Sequence, residues 1–198
     1  MDFLNIEKEY IDKGYKVICG VDEAGRGPLA GPVYAAAVIL PHDAQIVGLN
    51  DSKKLSEKKR DELYDLIIDV AVSYAIASAS NEEIDNLNIL NATYLAMNRA
   101  IKSLHIKPDF ALIDGNLNKG IDVKSECIIG GDSKAASIAA ASILAKVSRD
   151  RYMIKFDEKY PQYCFKKHKG YGTKLHYEKL QEFGISDIHR KTFLRKIL

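Results

Sequence analysis

Four carboxylates stand where apolar runs give way to glycine: Asp22 and Glu23 in GVDEAGRGPLAG, Asp114 in LIDGN, and Asp132 in GGDSK. Open α/β sheets bind ligands beyond the carboxyl ends of their strands, so acids from different strands can converge there. Four converging carboxylates repel one another, and hard divalent ions such as magnesium or manganese relieve that repulsion through oxygen ligands. Two such ions can activate a water and stabilise the leaving oxygen of a phosphodiester. Each acid also has a plainer reading. Asp beside Gly is ordinary turn chemistry, and Asp132 suits the N-cap of a following helix. Asp22 and Glu23 are adjacent, so in a regular strand they point to opposite faces. They can share one site only if the strand ends or bulges there.

The elements that must position these acids are legible as runs. YKVICGVDEAG, VYAAAVIL and VSYAIASAS read as strands, the second closed by Pro41. LSEKKRDELYDLIIDV carries Leu63, Leu66, Ile67 and Val70 at helical spacing, with Ser56 as N-cap. In NILNATYLAMNRAIKSL a stripe of Leu90, Tyr94, Met97, Ile101 and Leu104 runs beside Ala92, Ala96 and Ala100, which would let a helix lie close on a sheet. FALIDGN and DVKSECIIGGD give two further strands, and the alanine-rich stretch after Asp132 predicts a long helix ending before Pro161. HKGYGTKLHYEKLQEFG reads as a loop and a helix capped by Thr173 and stopped by Gly184, and DIHRKTFLRKIL as a last basic helix. The order predicts one α/β domain: a mixed five-stranded sheet flanked by helices, with a C-terminal helical extension from about residue 161 to 198.

Composition narrows the setting. The chain has 198 residues, 46% of them hydrophobic, which suffices for one sizeable core. No run approaches the roughly 18 apolar residues of a membrane span, and MDFLNIEKEYIDKGYK is too charged for a signal peptide, so a cytoplasmic protein without membrane partners is expected. Cys19, Cys127 and Cys164 form no CxxC pair and are expected as small apolar filler. A net charge of +2 announces no nucleic-acid binder, although lysines cluster in DSKKLSEKKR, FKKHKGYGTK and HRKTFLRK. Taken singly, each cluster is a solvated face.

Five motifs change that balance. GVDEAGRGPLAGPVYAAAVIL, LNDSKKL, LIDGN, GGDSKAASIAAASILAKVSRD and HKGYGTKLH…HRKTF resemble, in order and spacing, those of bacterial ribonuclease HII, from about Tyr15 to Phe193. The related ribonuclease HIII usually has lysine where Arg26 stands and an added N-terminal domain, so HII is the better match. The resemblance implies a ribonuclease H-like fold with its core at about 15–160. Its metal-binding, catalytic acids would be Asp22, Glu23, Asp114 and Asp132, holding two Mg2+ or Mn2+ ions. It implies hydrolysis of RNA in RNA/DNA hybrids and nicking of DNA duplexes 5′ of an embedded ribonucleotide, leaving 5′-phosphate and 3′-hydroxyl ends, as in ribonucleotide removal.

By the same resemblance Gly25, Arg26 and Gly27 would hydrogen-bond the ribose 2′-hydroxyl, which separates RNA from DNA, and Tyr171 would pack on that sugar. Glycine suits this task because bare backbone approaches a sugar edge closely. Ser52, Lys53, Lys54, Lys146 and Arg149 match positions near the substrate backbone, where contacts fix position without reading sequence. Lys134, Ser137 and Ser142 fit packing or surface roles as well, while Lys58, Lys59 and Arg60 look like a solvated helix face. His168 and His176 fit either proton transfer or a structural role. Tyr34 and the lack of proline after Gly184 depart from the family pattern. A monomer is expected, and LRKIL shows no clear clamp-binding motif. Two rivals stand beside this reading: another two-metal nuclease such as a junction resolvase, and a non-catalytic hybrid-binding protein.

Overall fold

The computed structural model describes residues 6–42, 44–116 and 118–195. Helix α1 (Ile6–Asp12) precedes β1 (Ile18–Ala24), and the glycine-rich segment leads into β2 (Val33–Ile39). Then come α2 (Glu57–Val70), β3 (Ser73–Ala79), α3 (Asn81–Leu87) and α4 (Ile89–Ser103). β4 (Phe110–Asp114) and β5 (Ser125–Ile128) finish the sheet, and α5 (Ala136–Lys159) covers it. α6 (Phe165–His168), α7 (Lys174–Phe183) and α8 (Lys191–Leu194) form the C-terminal extension.

The sheet is mixed, in the order β3-β2-β1-β4-β5. β3, β2 and β1 pair antiparallel, while β4 and β5 join parallel. Strand alternation divides β2 between two cores. Ala35 and Ala37 pack with Ala96, Met97 and Ala100 of α4, whereas Ala36 and Val38 pack with Ala140, Ile143 and Leu144 of α5 and with Leu63 and Ile67 of α2. Gly20 lets α5 approach: a Cβ there would collide with the Ser137 carbonyl carbon. A further cluster of Leu29, Ala30, Met153, Tyr163, Phe165, Leu180 and Leu194 fastens the C-terminal extension to α5 and to the glycine-rich segment. Tyr34 is accommodated against the Tyr152 ring, with centroids 5.8 Å apart.

The expected strands and the Ser56 and Thr173 caps are present, with Ser56 accepting from Lys59 N–H and Thr173 from His176 N–H. Several details differ. α1 and α3 escaped the periodicity reading because both are short, although Ser80 and Glu83 form a capping box whose spacing is visible in SNEE. Asp132 is not the N-cap of the long helix. It sits in a separate 3-10 turn, Gly131–Ser133, and α5 begins at Ala136. Ala135 supplies no side-chain cap; Glu7 of α1 instead accepts from the Ser137 N–H at 2.9 Å and hydroxyl at 2.8 Å. The last helix is confined to Lys191–Leu194, and residues 196–198 of the expected one lie outside the described residues. Cys19 is buried as expected, but Cys127 and Cys164 are only partly so. Among the described residues no helix is long and apolar enough to cross a membrane.

Candidate active site

The parallel pairing of β1 with β4 ends at Val21 and Ile113. Asp22 and Asp114 are the next residue on each strand, at the mouth of the notch that opens there. β1 meanwhile stays in antiparallel register with β2 as far as Ala24 opposite Tyr34. In this regular register Asp22, opposite Ala36, and Glu23, opposite Ala35, alternate between the two faces of the strand. The strand continues on one side and loses its neighbour on the other, and the Asp114 charge acts on both acids. Asp22 is buried and accepts the Glu23 N–H at 2.7 Å. Asp114 accepts the Gly131 N–H at 2.7 Å and so tethers the turn that carries Asp132.

Electrostatically this notch is short of positive charge. Burial, then the charges of Glu23 and Asp114, pushes the Asp22 carboxyl well above its ordinary range. Burial also raises Glu23, against the pull of Arg26, whose Nη1 lies 3.4 Å from Glu23 Oε1. Asp132 is raised by burial and then by Asp114 and Asp51. Asp51 was not singled out from the sequence, although it stands within the NDSKKL motif and caps its 3-10 turn by accepting from Lys53 N–H. Lys53 approaches Asp132 at 3.9 Å, and Asp132 and Asp22 outweigh desolvation to hold its ammonium above the usual value. Among the described residues no three His, Cys, Asp or Glu side chains are gathered tightly enough to form a ready ligand cage. The donor set nonetheless suits a hard divalent cation: every group is a carboxylate, and the acids outnumber the nearby cations.

The expected backbone-contacting residues divide sharply. Lys53 and Lys54 are exposed beside the notch. Lys146 is partly buried and paired with Asp150 at 2.7 Å. Ser52 is buried, its hydroxyl 2.9 Å from that of Ser142, and so packs the site from inside. Arg149 departs from expectation altogether. It is 1% exposed and donates to the carbonyls of Ala30, Pro32 and Lys169, leaving no route to a phosphate. Arg60, expected as a solvated face, donates to the Ser52 and Leu55 carbonyls and braces the Lys53 turn. Lys134 donates to the Ile129 carbonyl, and Ser137 is taken by Glu7.

Beside the acids, Gly25 adopts φ +96°, and a Cβ there would collide with the Arg149 side chain. A Cβ on Gly27 would meet nothing within 4 Å, so the backbone faces open space. Tyr171 is 40% exposed, its ring 5.6 Å from the Arg149 guanidinium carbon. Behind it the buried histidines fix a proton order. Ser186 N–H donates to His189 Nδ1, so His189 donates through Nε2 to His176 Nε2 at 3.0 Å, and His176 donates through Nδ1 to the Tyr171 carbonyl at 3.0 Å. Burial, foremost, pulls both His176 and His189 down to about 4. His168 accepts Gly170 N–H at Nδ1 and bonds the Tyr163 carbonyl through Nε2. These side chains hold the Tyr171 loop from within, which favours the structural reading of His168 and His176.

A mixed sheet that gathers acids in a notch between strands, next to an open glycine turn, defines a metal-dependent nuclease of the ribonuclease H fold. The family model for ribonuclease HII matches residues 19–196. Ribonuclease HII of Clostridioides difficile is 57% identical over all of this chain and 78% of its own length, and that of Caldicellulosiruptor bescii is 52% identical over 100% and 96%. Among solved structures, ribonuclease H2 of Pyrococcus horikoshii superposes with a TM-score of 0.75 at 28% identity, covering 89% of this chain and 93% of that one. Ribonuclease HII in the PCNA complex from Archaeoglobus fulgidus gives 0.71 at 26% identity, covering 88% and 94%. The chain belongs to the ribonuclease HII family and is an RNase H2-type endoribonuclease.

Proposed function

We propose that this enzyme hydrolyses the RNA strand of RNA/DNA hybrids and nicks DNA duplexes on the 5′ side of an embedded ribonucleotide, leaving 5′-phosphate and 3′-hydroxyl ends. The observation that carries this reading is the adjacency of the acid notch at Asp22 and Asp114 to the open backbone of Gly27. Asp22, Glu23, Asp114 and Asp132 would hold Mg2+ or Mn2+. Two bound ions would activate the attacking water and stabilise the leaving oxygen. Asp114 sets the position of Asp132 through Gly131. Gly25, Arg26 and Gly27 face the ribose, with Tyr171 packed on the sugar from the other loop. Lys53 and Lys54, and Lys146 behind them, lie along the duplex backbone, so selection follows sugar identity rather than base sequence.

In this reading the core at about 15–160 cuts, and the extension beyond it carries Tyr171 and supports the sugar contact. The enzyme acts as a monomer in the cytoplasm on these duplexes. The PCNA partnership belongs to the Archaeoglobus protein. A labelled RNA/DNA hybrid incubated with magnesium, manganese or EDTA tests the reading. Fragments bearing 3′-hydroxyl ends should form with either metal and vanish in EDTA; cleavage in EDTA, or 2′,3′-cyclic phosphate ends, would refute it.

A further inference from the structure

HRKTF is the one basic motif without a task so far, and the structure turns its arginine inward. Arg190 is 0% exposed. Its Nη2 donates to the Gly25 carbonyl at 2.6 Å, its Nη1 to the Arg26 carbonyl at 2.8 Å, and its Nε to the Gly31 carbonyl at 2.8 Å. With the three bonds of Arg149 to residues 30, 32 and 169, two buried guanidiniums hold the whole turn and join it to the Tyr171 loop. All six bonds end on main-chain carbonyls. Burial and the Arg149 charge pull Arg190 down to about 9, which leaves it charged at neutral pH.

Peptide geometry gives this clamp a consequence. In a trans peptide the carbonyl of one residue and the N–H of the next point in opposite directions. Drawing the Gly25 and Arg26 carbonyls inward therefore turns the Arg26 and Gly27 N–H groups outward. Among the described residues neither N–H has an acceptor, and the space over Gly27 is open. The tail that carries Arg190 is itself pinned: Asp85 of α3 accepts from the Lys191 and Thr192 N–H groups, and Asn81 donates to the Asp187 carbonyl.

We propose that Arg190 is the positioning residue for ribose selection: it locks two peptide planes of the glycine turn so that two amide donors face the 2′-hydroxyl. The inference rests on the function proposed above and adds a determinant from the far end of the chain. Lysine cannot replace it, because three donors on one nitrogen do not span the carbonyls of Gly25, Arg26 and Gly31.

The test measures, by fluorescence anisotropy in calcium, binding to a DNA duplex with one ribonucleotide and to the same duplex in all-DNA form. The readout is the ratio of the two affinities. Arg190→Met and Arg190→Lys should lower the ratio about tenfold, the scale expected when fixed hydrogen bonds are lost, with all-DNA binding changed less than about twofold. Leu63→Ala, which destabilises the core between α2 and α5, should leave the ratio unchanged. If Arg190→Met does not fold, Phe193→Leu removes the ring 5.1 Å from the guanidinium and should lower the ratio about threefold. An unchanged ratio in the Arg190 and Phe193 variants overturns the proposal, as does an equal fall in Leu63→Ala or a matching loss of all-DNA binding. A wild-type protein without ribonucleotide preference would overturn the functional reading first, and this inference with it.

Discussion

The notch that holds the acids and the glycine turn beside it are built on opposite principles. In the notch, Asp22, Glu23 and Asp132 are held above their ordinary carboxylate range by burial and then by neighbouring carboxylates, Asp114 among them for all three. In the turn and the Tyr171 loop, Arg149, Arg190 and the three histidines all meet partners, chiefly main-chain groups. One region is left electrically incomplete, as the proposed binding of cations and a phosphate there would require. The other is finished in advance, as the proposed reading of one hydroxyl would require of donors that must not move. The contrast predicts that damage to the notch abolishes chemistry at little cost to folding, while damage behind the turn loosens structure or selection.

The largest effect expected is that of Asp22→Asn. Cleavage should fall on the order of a thousandfold or more, as when a metal ligand or a central electrostatic group is removed. Duplex binding should survive, and thermal unfolding in EDTA should show the variant more stable than wild type, since a buried charge facing Glu23 and Asp114 has gone. A variant that is less stable and still active would collapse the contrast.

Next in size is the response to pH. His176 and His189 are neutral in the fold and fall from the usual 6.5 to about 4. Their contribution to stability is complete above 6.5 and is lost as pH drops toward about 4, because the unfolded chain takes up the protons first. Urea unfolding of Asp22→Asn, which lessens the opposing trend of the acids, should show a loss of roughly 2 to 4 kcal/mol between pH 7.5 and pH 5, up to about 2 from each ring. A flat profile would mean that the rings are not held neutral.

Arg26→Ala should lower kcat/KM about tenfold, far less than Asp22→Asn, since the backbone donors of the turn remain. The reverse ranking would shift the work from backbone to guanidinium. Smallest is Lys53→Ala: binding should weaken by a few-fold at low salt and converge with wild type as salt rises, the mark of a phosphate contact. A salt-independent defect would instead tie Lys53 to Asp132 alone.

How far the sequence could be read follows the same division. Strands showed in their β-branched runs and the acids in their glycine boundaries, because both are local signals. Ser56 and Thr173 were visible as caps for the same reason. Arg149 and Arg190 were not, since arginine in a basic run looks solvated until close approach of the backbone surrounds it with carbonyls. The plainer reading of Asp132 as a helix cap fell because Glu7, far away in the chain, performs that task. Arg60 read as a solvated face, and Ser52 as a residue near the substrate backbone, for the same cause: their partners are tertiary.

The claim at the centre is that cutting and sugar reading are separate structures joined at one edge. A DNA duplex with a single ribonucleotide, beside an all-DNA control, tests it most directly with magnesium, manganese or EDTA. The account predicts one nick 5′ of the ribonucleotide with either metal, no nick in the control, and none in EDTA. Equal cutting of the control, or cutting undiminished by EDTA, would contradict it.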